Sequence, residues 1–257
     1  MKKILLPLLT LFLILTSCSS DDSEENSIEV PKLLTNMTRE TENVLNSINS
    51  EYIFNSDNQI ISLKLTNGFY NEDEFIYNNG LVLRYNRSYD DINMGQTAYV
   101  LLEYENNRVS RLTQYDIDDN MLRDFSYTYN SSGILLTRNF MNIINDTERT
   151  FNYIYDANQN TLTRTEEGVL DSYLVYTFDN GFSPYTNIPH ILKEITAAGN
   201  ILNNNNISKI ESYENDLLTS TIDYLNEYDS DNFLIRSTRT DSSNIQFTTI
   251  ETYTYNK

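Results

Sequence analysis

The chain has 257 residues, with 37 acidic against 18 basic side chains and a formal net charge of −19. A field of that sign repels phosphate backbones and argues against a nucleic-acid partner. One cysteine, one histidine and no tryptophan exclude a disulfide within the chain and leave no His/Cys set for zinc. The 20 tyrosines and 11 phenylalanines can form a core in which tyrosine supplies much of the volume, its hydroxyls at the margin. Seven glycines and four prolines are few for an all-β chain. Asn and Asp, which tolerate left-handed backbone best among non-glycine residues, must therefore build the turns.

Met1-Lys2-Lys3 is followed by an apolar run from Ile4 to Leu15, broken only by Pro7 and Thr10. A run of about 12 residues is short of the ~20 that a spanning helix needs. Charge, then a short apolar stretch, then small residues is the order of a secretory signal. Leu15-Thr16-Ser17-Cys18 resembles the lipobox of bacterial lipoproteins, which implies cleavage after residue 17 and thioether lipidation of Cys18. Residues 18–30 read as a lipidated cysteine and a flexible tether, acidic and without an apolar side chain from Ser19 to Ser27. An acidic run behind such a cysteine resembles the surface-export signal of Bacteroidetes lipoproteins. Loss of Lys2 and Lys3 with the leader moves the net charge from −19 to −21. Anionic lipid then repels the mature domain, and acyl chains must hold it to a membrane.

Residues 31–257 carry a repeat. An aromatic residue followed by Asn or Asp recurs at Phe54-Asn55, Tyr77-Asn78, Tyr129-Asn130, Tyr155-Asp156, Phe178-Asp179, Tyr228-Asp229 and Tyr255-Asn256, with Tyr104-Glu105 a degenerate copy. The steps are 23, 27, 25, 26, 23, 50 and 27 residues. Each anchor ends a stretch of strict alternation, as in Phe125, Tyr127 and Tyr129 or Phe151, Tyr153 and Tyr155. Period two in Tyr-, Phe- and Thr-rich sequence is a half-buried strand. This phase puts Tyr127 and Tyr153 in the core and Thr128 and Ile154 on the other face. A turn follows each anchor, such as Ser56-Asp57-Asn58 or Ser131-Ser132-Gly133, and then an apolar start to a second strand, such as Ile60-Ile61 or Leu81-Val82-Leu83. Each unit reads as an antiparallel hairpin, and consecutive hairpins must stack to bury their aromatic face. Bases at Lys64, Arg84, Arg111, Arg138, Arg164 and Arg236 are expected on a solvated sheet face, paired across strands with acids such as Glu74, Glu103, Asp124 and Glu148.

The doubled step marks an irregular insert at about 182–206. Pro184 and Pro189 forbid a central strand there, His190 to Ala197 suits a short helix, and Asn203–Asn206 reads as a polar loop.

The motifs Tyr127-Thr128-Tyr129-Asn130…Gly133-Ile134-Leu135, Tyr153-Ile154-Tyr155-Asp156…Leu162 and Tyr228-Asp229…Phe233-Leu234 resemble the YD-repeat (Rhs-type) lineage. More closely, the chain resembles the YD-repeat-like lipoproteins of Bacteroidetes. The stretch from Asp179 to Ile188 is similar to an Asn-Pro-Phe-containing insert of such lipoproteins, with Ser183 and Tyr185 as departures. The resemblance covers most of residues 50–257. It implies a rolled or spiralling antiparallel sheet and brings no catalytic residues.

Chemistry is sparse. A nucleophile–base pair would have to use His190, which sits in the insert, and no Gly-x-Ser-x-Gly elbow is present. Carboxylates are plentiful but fall at turns and on solvent faces, so hydrolysis of glycans or esters is the weakest reading. Asp116, Asp118 and Asn120, and Asp156, Asn158 and Asn160, place oxygens on alternate residues as calcium loops do. Neither set has the central Gly or the distal Glu, and each lies where the repeat needs a turn. No metal or cofactor is expected. Tyr and Asn suit a glycan, although no face is singled out. The sequence thus predicts an all-β hairpin array with one short helical or loop insert: a non-enzymatic cell-envelope lipoprotein. It would be a binding or interaction module on the outer membrane, at the cell surface, with a membrane partner through its lipid and a glycan or protein ligand. A periplasm-facing carrier or assembly lipoprotein holding an apolar ligand is the alternative.

Overall fold

The computed structural model describes residues 31–42, 47–66, 70–89, 96–157, 160–166, 172–188, 205–242 and 248–256. Cys18, Asn158, His190 and the helix expected at 190–197 lie outside the described residues.

The described chain is a succession of strands: β1 (Leu34–Thr41), β2 (Ile48–Phe54), β3 (Ile60–Thr66), β4 (Tyr70–Asn78), β5 (Leu81–Tyr89), β6 (Tyr99–Glu105), β7 (Arg108–Tyr115) and β8 (Met121–Tyr129). It continues with β9 (Leu135–Asn142), β10 (Thr147–Tyr155), β11 (Thr161–Glu166), β12 (Ser172–Phe182), β13 (Asn205–Glu214), β14 (Leu217–Tyr228), β15 (Leu234–Asp241) and β16 (Thr248–Tyr255). Each strand pairs antiparallel with the next, and β1 pairs with both β2 and β16. The sheet therefore does not roll or spiral open as expected. It closes into a 16-stranded barrel and so removes its edges. Closure depends on a strand that the repeat does not announce. In β1, Met37 lies opposite Tyr253 and Arg39 opposite Glu251.

The aromatic–Asx anchors fall at the ends of the even-numbered strands at one rim, except Phe178-Asp179, which lies inside β12 before its end at Phe182. The turn chemistry follows the Asn and Asp content. Asn55, Asn130 and Asp229 each accept, through Oδ1, the backbone N–H groups two and four residues on. The residue three after each anchor Asx is left-handed: Asn58 at φ 59°, Gly133 at 88° and Asn232 at 65°. This is the three-residue hairpin loop with a left-handed third residue. Tighter loops place two left-handed residues in succession, at Asn79-Gly80 and Asn106-Asn107.

A β-bulge follows these turns. The register shifts at Phe54, Tyr77, Tyr104, Tyr129, Tyr155 and Tyr228. The unpaired residue opposite is Ile61, Leu83, Ser110, Leu136, Leu162 or Ile235. Each apolar pair that opens a second strand is thereby split. Ile60, Val82 and Leu135 are buried, while Ile61, Leu83 and Leu136 are exposed.

Bulges also end the ladder between consecutive hairpins early, and the anchor tyrosines take over. Pairing of β7 with β8 stops at Arg111–Ser126, and the Tyr129 hydroxyl donates to the Val109 carbonyl at 2.8 Å. In the same way Tyr77 donates to Ile60 at 2.7 Å, Tyr104 to Val82 at 2.7 Å and Tyr255 to Leu234 at 2.6 Å. Phenylalanine at these anchors would leave those carbonyls short of a donor.

The alternation holds as read. Tyr127 and Tyr153 are each 7% exposed and belong to the aromatic core, whereas Thr128 is exposed and Ile154 is 58% exposed. The core lies inside the barrel and reaches the Tyr–Asx rim, where Tyr77, Tyr104, Tyr129 and Tyr255 pack against it. There the segment after β12 packs inward. Tyr185 and Ile188 are buried, and the Tyr185 ring meets Tyr52 edge-on with centroids 6.4 Å apart. The chain enters at the same rim. The Leu33 amide donates to Asn256, and the Lys32 ammonium bonds Asp229 and Asp231 at 2.6 and 2.7 Å.

Candidate functional site

The two oxygen-rich turns sit at opposite rims and are occupied with their own backbone. The Asp116 carboxylate accepts the N–H groups of Asp118 and Asn120 and the Asn120 side-chain amide. The Asn120 amide, followed by those N–H groups, holds its pKa below the usual range. Asn160 donates its amide and backbone N–H to Asp156 and is itself buried. Among the described residues no three His, Cys, Asp or Glu side chains are placed to hold a metal ion.

The two faces of the wall differ: the core aromatics line the inner face, and the outer face mixes carboxylates with exposed aliphatics such as Ile76, Leu83, Leu101 and Ile154. Outward positions carry exposed carboxylates in mid-strand: Glu51 on β2, Glu74 on β4, Glu103 on β6, Asp223 and Glu227 on β14. The expected cross-strand pairs form there for Arg111 with Asp124 at 2.8 Å and with Glu103 at 3.6 Å, and for Arg236 with Glu227 at 2.5 Å. Arg84 departs from that pattern. Its Nε donates to Asn86, and its guanidinium stacks 3.9 Å from the Tyr99 ring centroid.

Arg138 and Arg164 are corrections to the solvated-face expectation, because both lie on the inward side. Each stands one position further from its bulge than Arg84, Arg111 and Arg236, and one residue reverses the face of a strand. They flank Phe151 from β9 and β11, with guanidinium carbons 4.7 and 5.5 Å from its ring centroid. By the same phase Arg39, Arg87, Arg123, Arg149 and Arg239 also face inward, toward the rim away from the Tyr–Asx turns. Arg87 is locked to Asp73, a carboxylate with 0% exposure, by bonds of 2.5 and 2.6 Å. Such a pair needs its full set of bonds to offset the desolvation of both charges.

A cavity of about 170 Å³ opens on this inner face. Its charged lining is Arg39, Arg239 and Glu251, joined by Tyr224, Asn226, Ser237 and Tyr253, with Ser183–Tyr185 as a floor. Glu251 is the hub. It accepts from the Arg39 Nε at 2.6 Å and from the Tyr253 hydroxyl, while Arg39 Nη2 stands 2.6 Å from the same carboxylate. Arg239 is held loosely, 3.7 Å from Asp241, with 43% of its side chain exposed. Burial pushes the Tyr224 hydroxyl up in pKa, and the nearby Arg239 guanidinium opposes that shift. Burial, reinforced by Glu251, holds Tyr253 protonated well above the ordinary tyrosine range. The arrangement offers donors and acceptors around a small space and no nucleophile activated by a base. The sequence reading passed over Arg39, Arg239 and Glu251. Phase was the signal for Arg39 and Glu251, each two residues from a core position at Met37 or Tyr253; Arg239 lies five residues from Leu234, and only the bulge at Ile235 turns it inward.

The described chain is thus an antiparallel barrel with aromatic residues and arginines inside and a mixed charged and aliphatic outer wall. Solved structures share that architecture. A porin-like protein from Bacteroides uniformis matches with a TM-score of 0.60 and 13% identity over 88% of this chain and 98% of that one. A porin-like protein from Bacteroides vulgatus matches with a TM-score of 0.58 and 10% identity over 88% of this chain and 99% of that one. At that identity the likeness shows the fold alone. No family model matches the chain, and no curated protein matches it.

Proposed function

We propose that this chain is a non-enzymatic envelope lipoprotein of the outer membrane, in which a water-facing barrel is held to the bilayer by lipid on Cys18 and presents its lumen to a ligand. The observation that carries this reading is the orientation of the wall. Barrels that cross a bilayer turn an apolar band outward and keep a polar interior. Here the core aromatics Tyr52, Phe75, Tyr85, Tyr127 and Tyr253 face inward, while outside the exposed carboxylates Glu51, Glu74, Glu103 and Asp223 interrupt exposed aliphatics such as Ile76, Leu83, Leu101 and Ile154, so that no continuous apolar band forms. A lipid-facing position for those carboxylates would be costly, so a separate anchor is needed, and the lipobox-like Leu15–Cys18 supplies one.

The chain joins the barrel at the Tyr–Asx rim, next to Asn256 and Asp229. The polar lining of the cavity at Arg39, Arg239 and Glu251 suits a polar ligand, the reading favoured here over the apolar cargo of a periplasmic carrier. The Tyr–Asx hairpins support kinship with YD-repeat-like lipoproteins.

The test is Cys18→Ser in cells. The variant should remain unprocessed at this site and lose lipid labelling. Added protease should reach the wild-type domain on intact cells. Cleavage before residue 18 with membrane retention in the variant would overturn the lipoprotein reading. Protection of the wild-type domain until the outer membrane is opened would favour the periplasmic alternative.

A further inference from the structure

We infer that the lumenal cavity at Arg39, Arg239 and Glu251 binds one carboxylated sugar ring of an acidic oligosaccharide, with Arg239 taking the carboxylate. This inference deepens the binding-module reading and rests on it.

Size is the first argument. An engineered cavity of about 150 Å³ holds one benzene ring, and this one measures about 170 Å³. A uronate ring has roughly twice the heavy atoms of benzene, so the cavity seats its carboxylate edge, while the rest of the ring and further units of a chain must lie along the inner wall. Charge is the second argument. The lining contributes two arginines and one glutamate; Glu251 offsets Arg39, which leaves Arg239, with only a distant Asp241 against it, as the cation a carboxylate would meet. Arg39 is committed to Glu251 through two nitrogens. Arg239 meets Asp241 only at 3.7 Å and keeps its guanidinium partly exposed, so it can present the planar fork that matches a carboxylate.

The remaining lining suits hydroxyl groups. Ser183, Asn206 and Ser237 are buried polar residues at the cavity, and Tyr224 lies opposite Arg239 in the β14–β15 ladder. The site also extends. On the inner face Tyr176 lies opposite Ile210, which lies opposite Ile222, two residues from Tyr224, and beyond Tyr176 the Arg164 and Arg138 guanidinium groups flank Phe151. Aromatic faces and guanidinium groups thus continue from the cavity along β12 to β9. That surface is matched to neighbouring acidic units and not to a lone inorganic anion. The exposed carboxylates outside repel long polyanions, so a short chain should enter best.

The experiment is calorimetric titration of the mature chain, purified with its anchor in a non-ionic detergent. The probes are trigalacturonate, maltotriose and inorganic sulfate. The expected result is binding of trigalacturonate, at least tenfold weaker binding of maltotriose, and no displacement by equimolar sulfate. Arg239→Gln should weaken trigalacturonate binding at least tenfold with an unchanged melting curve. Arg239→Lys should retain part of the affinity, and Arg111→Gln on the outer wall should retain all of it. Maltotriose binding as tight as trigalacturonate would overturn the carboxylate assignment but leave a glycan-binding module. Equal sulfate affinity would reduce the site to a simple anion site and overturn the inference. Absence of trigalacturonate binding, or indifference to Arg239→Gln, would overturn it too.

Discussion

The tyrosine clips between hairpins give a sharp perturbation. Tyr129→Phe removes one hydroxyl from a half-buried side chain and leaves the ring in the core. The Val109 carbonyl loses the donor that reaches it at 2.8 Å, beyond the end of the β7–β8 ladder. A net hydrogen bond contributes about 1 kcal/mol, and a buried acceptor left without a partner costs about 1–3 kcal/mol. Since the rim is partly solvated, about 1–2 kcal/mol is expected for Tyr129→Phe, and the same for Tyr104→Phe, which strips Val82. For a domain of this size that corresponds to roughly 2–8 °C in melting temperature. The clips sit on successive hairpins, so Tyr77→Phe, Tyr104→Phe and Tyr129→Phe together should cost about 3–6 kcal/mol if they act independently. Urea denaturation followed by circular dichroism reads these values. Tyr99→Phe is the control, because its hydroxyl bonds Asp119 on the exposed wall and its loss should cost under about 0.5 kcal/mol. If Tyr104→Phe and Tyr129→Phe were as mild as Tyr99→Phe, the clips would be incidental and the choice of tyrosine at the anchors would need another cause.

Tyr127→Ala should cost about 3–5 kcal/mol, as for other large core aromatics, while Thr128→Ala and Ile154→Ala should each cost about 1 kcal/mol or less in the same assay. Asp73→Ala should cost about 3–5 kcal/mol by stranding Arg87, and adding Arg87→Met should recover part of that loss; a double variant worse than the single would refute this. Stability should fall in alkali. Burial raises Tyr52 from 10 to about 12 and holds Tyr185 and Tyr253 well above the ordinary value. The folded pKa lies above the unfolded one, so this stabilisation is complete below pH 10 and is lost as pH rises toward 12, by about 3 kcal/mol from Tyr52 alone. A flat stability between pH 9.5 and 11.5 would contradict the buried, protonated tyrosines.

Local pattern in the sequence carried the strands, the inward phase of Tyr127 and Tyr153, and the Asn- and Asp-built turns, because each depends on neighbours within one hairpin. Closure was not legible. Pairing of Met37 with Tyr253 joins residues at the two ends of the domain, and β1 carries no Tyr–Asx anchor. The bulges were hidden for a related reason. Ile60-Ile61 and Leu135-Leu136 look alike in composition, but each pair straddles a bulge, and counting from that bulge decides whether the later arginine points out, as at Arg111, or in, as at Arg138. The lumenal cluster compounds both effects, since Arg39 and Glu251 meet only after the barrel has closed.

The account stands most directly on the side of the wall that meets water. The measurement is the behaviour of the leaderless chain carrying Cys18→Ser in buffer without detergent. It should purify as a dispersed, cooperatively melting domain, and it should neither insert into liposomes nor conduct ions across a planar bilayer. A protein that stays aggregated until detergent is added, or that inserts and conducts, would show that the wall faces lipid and would contradict the account.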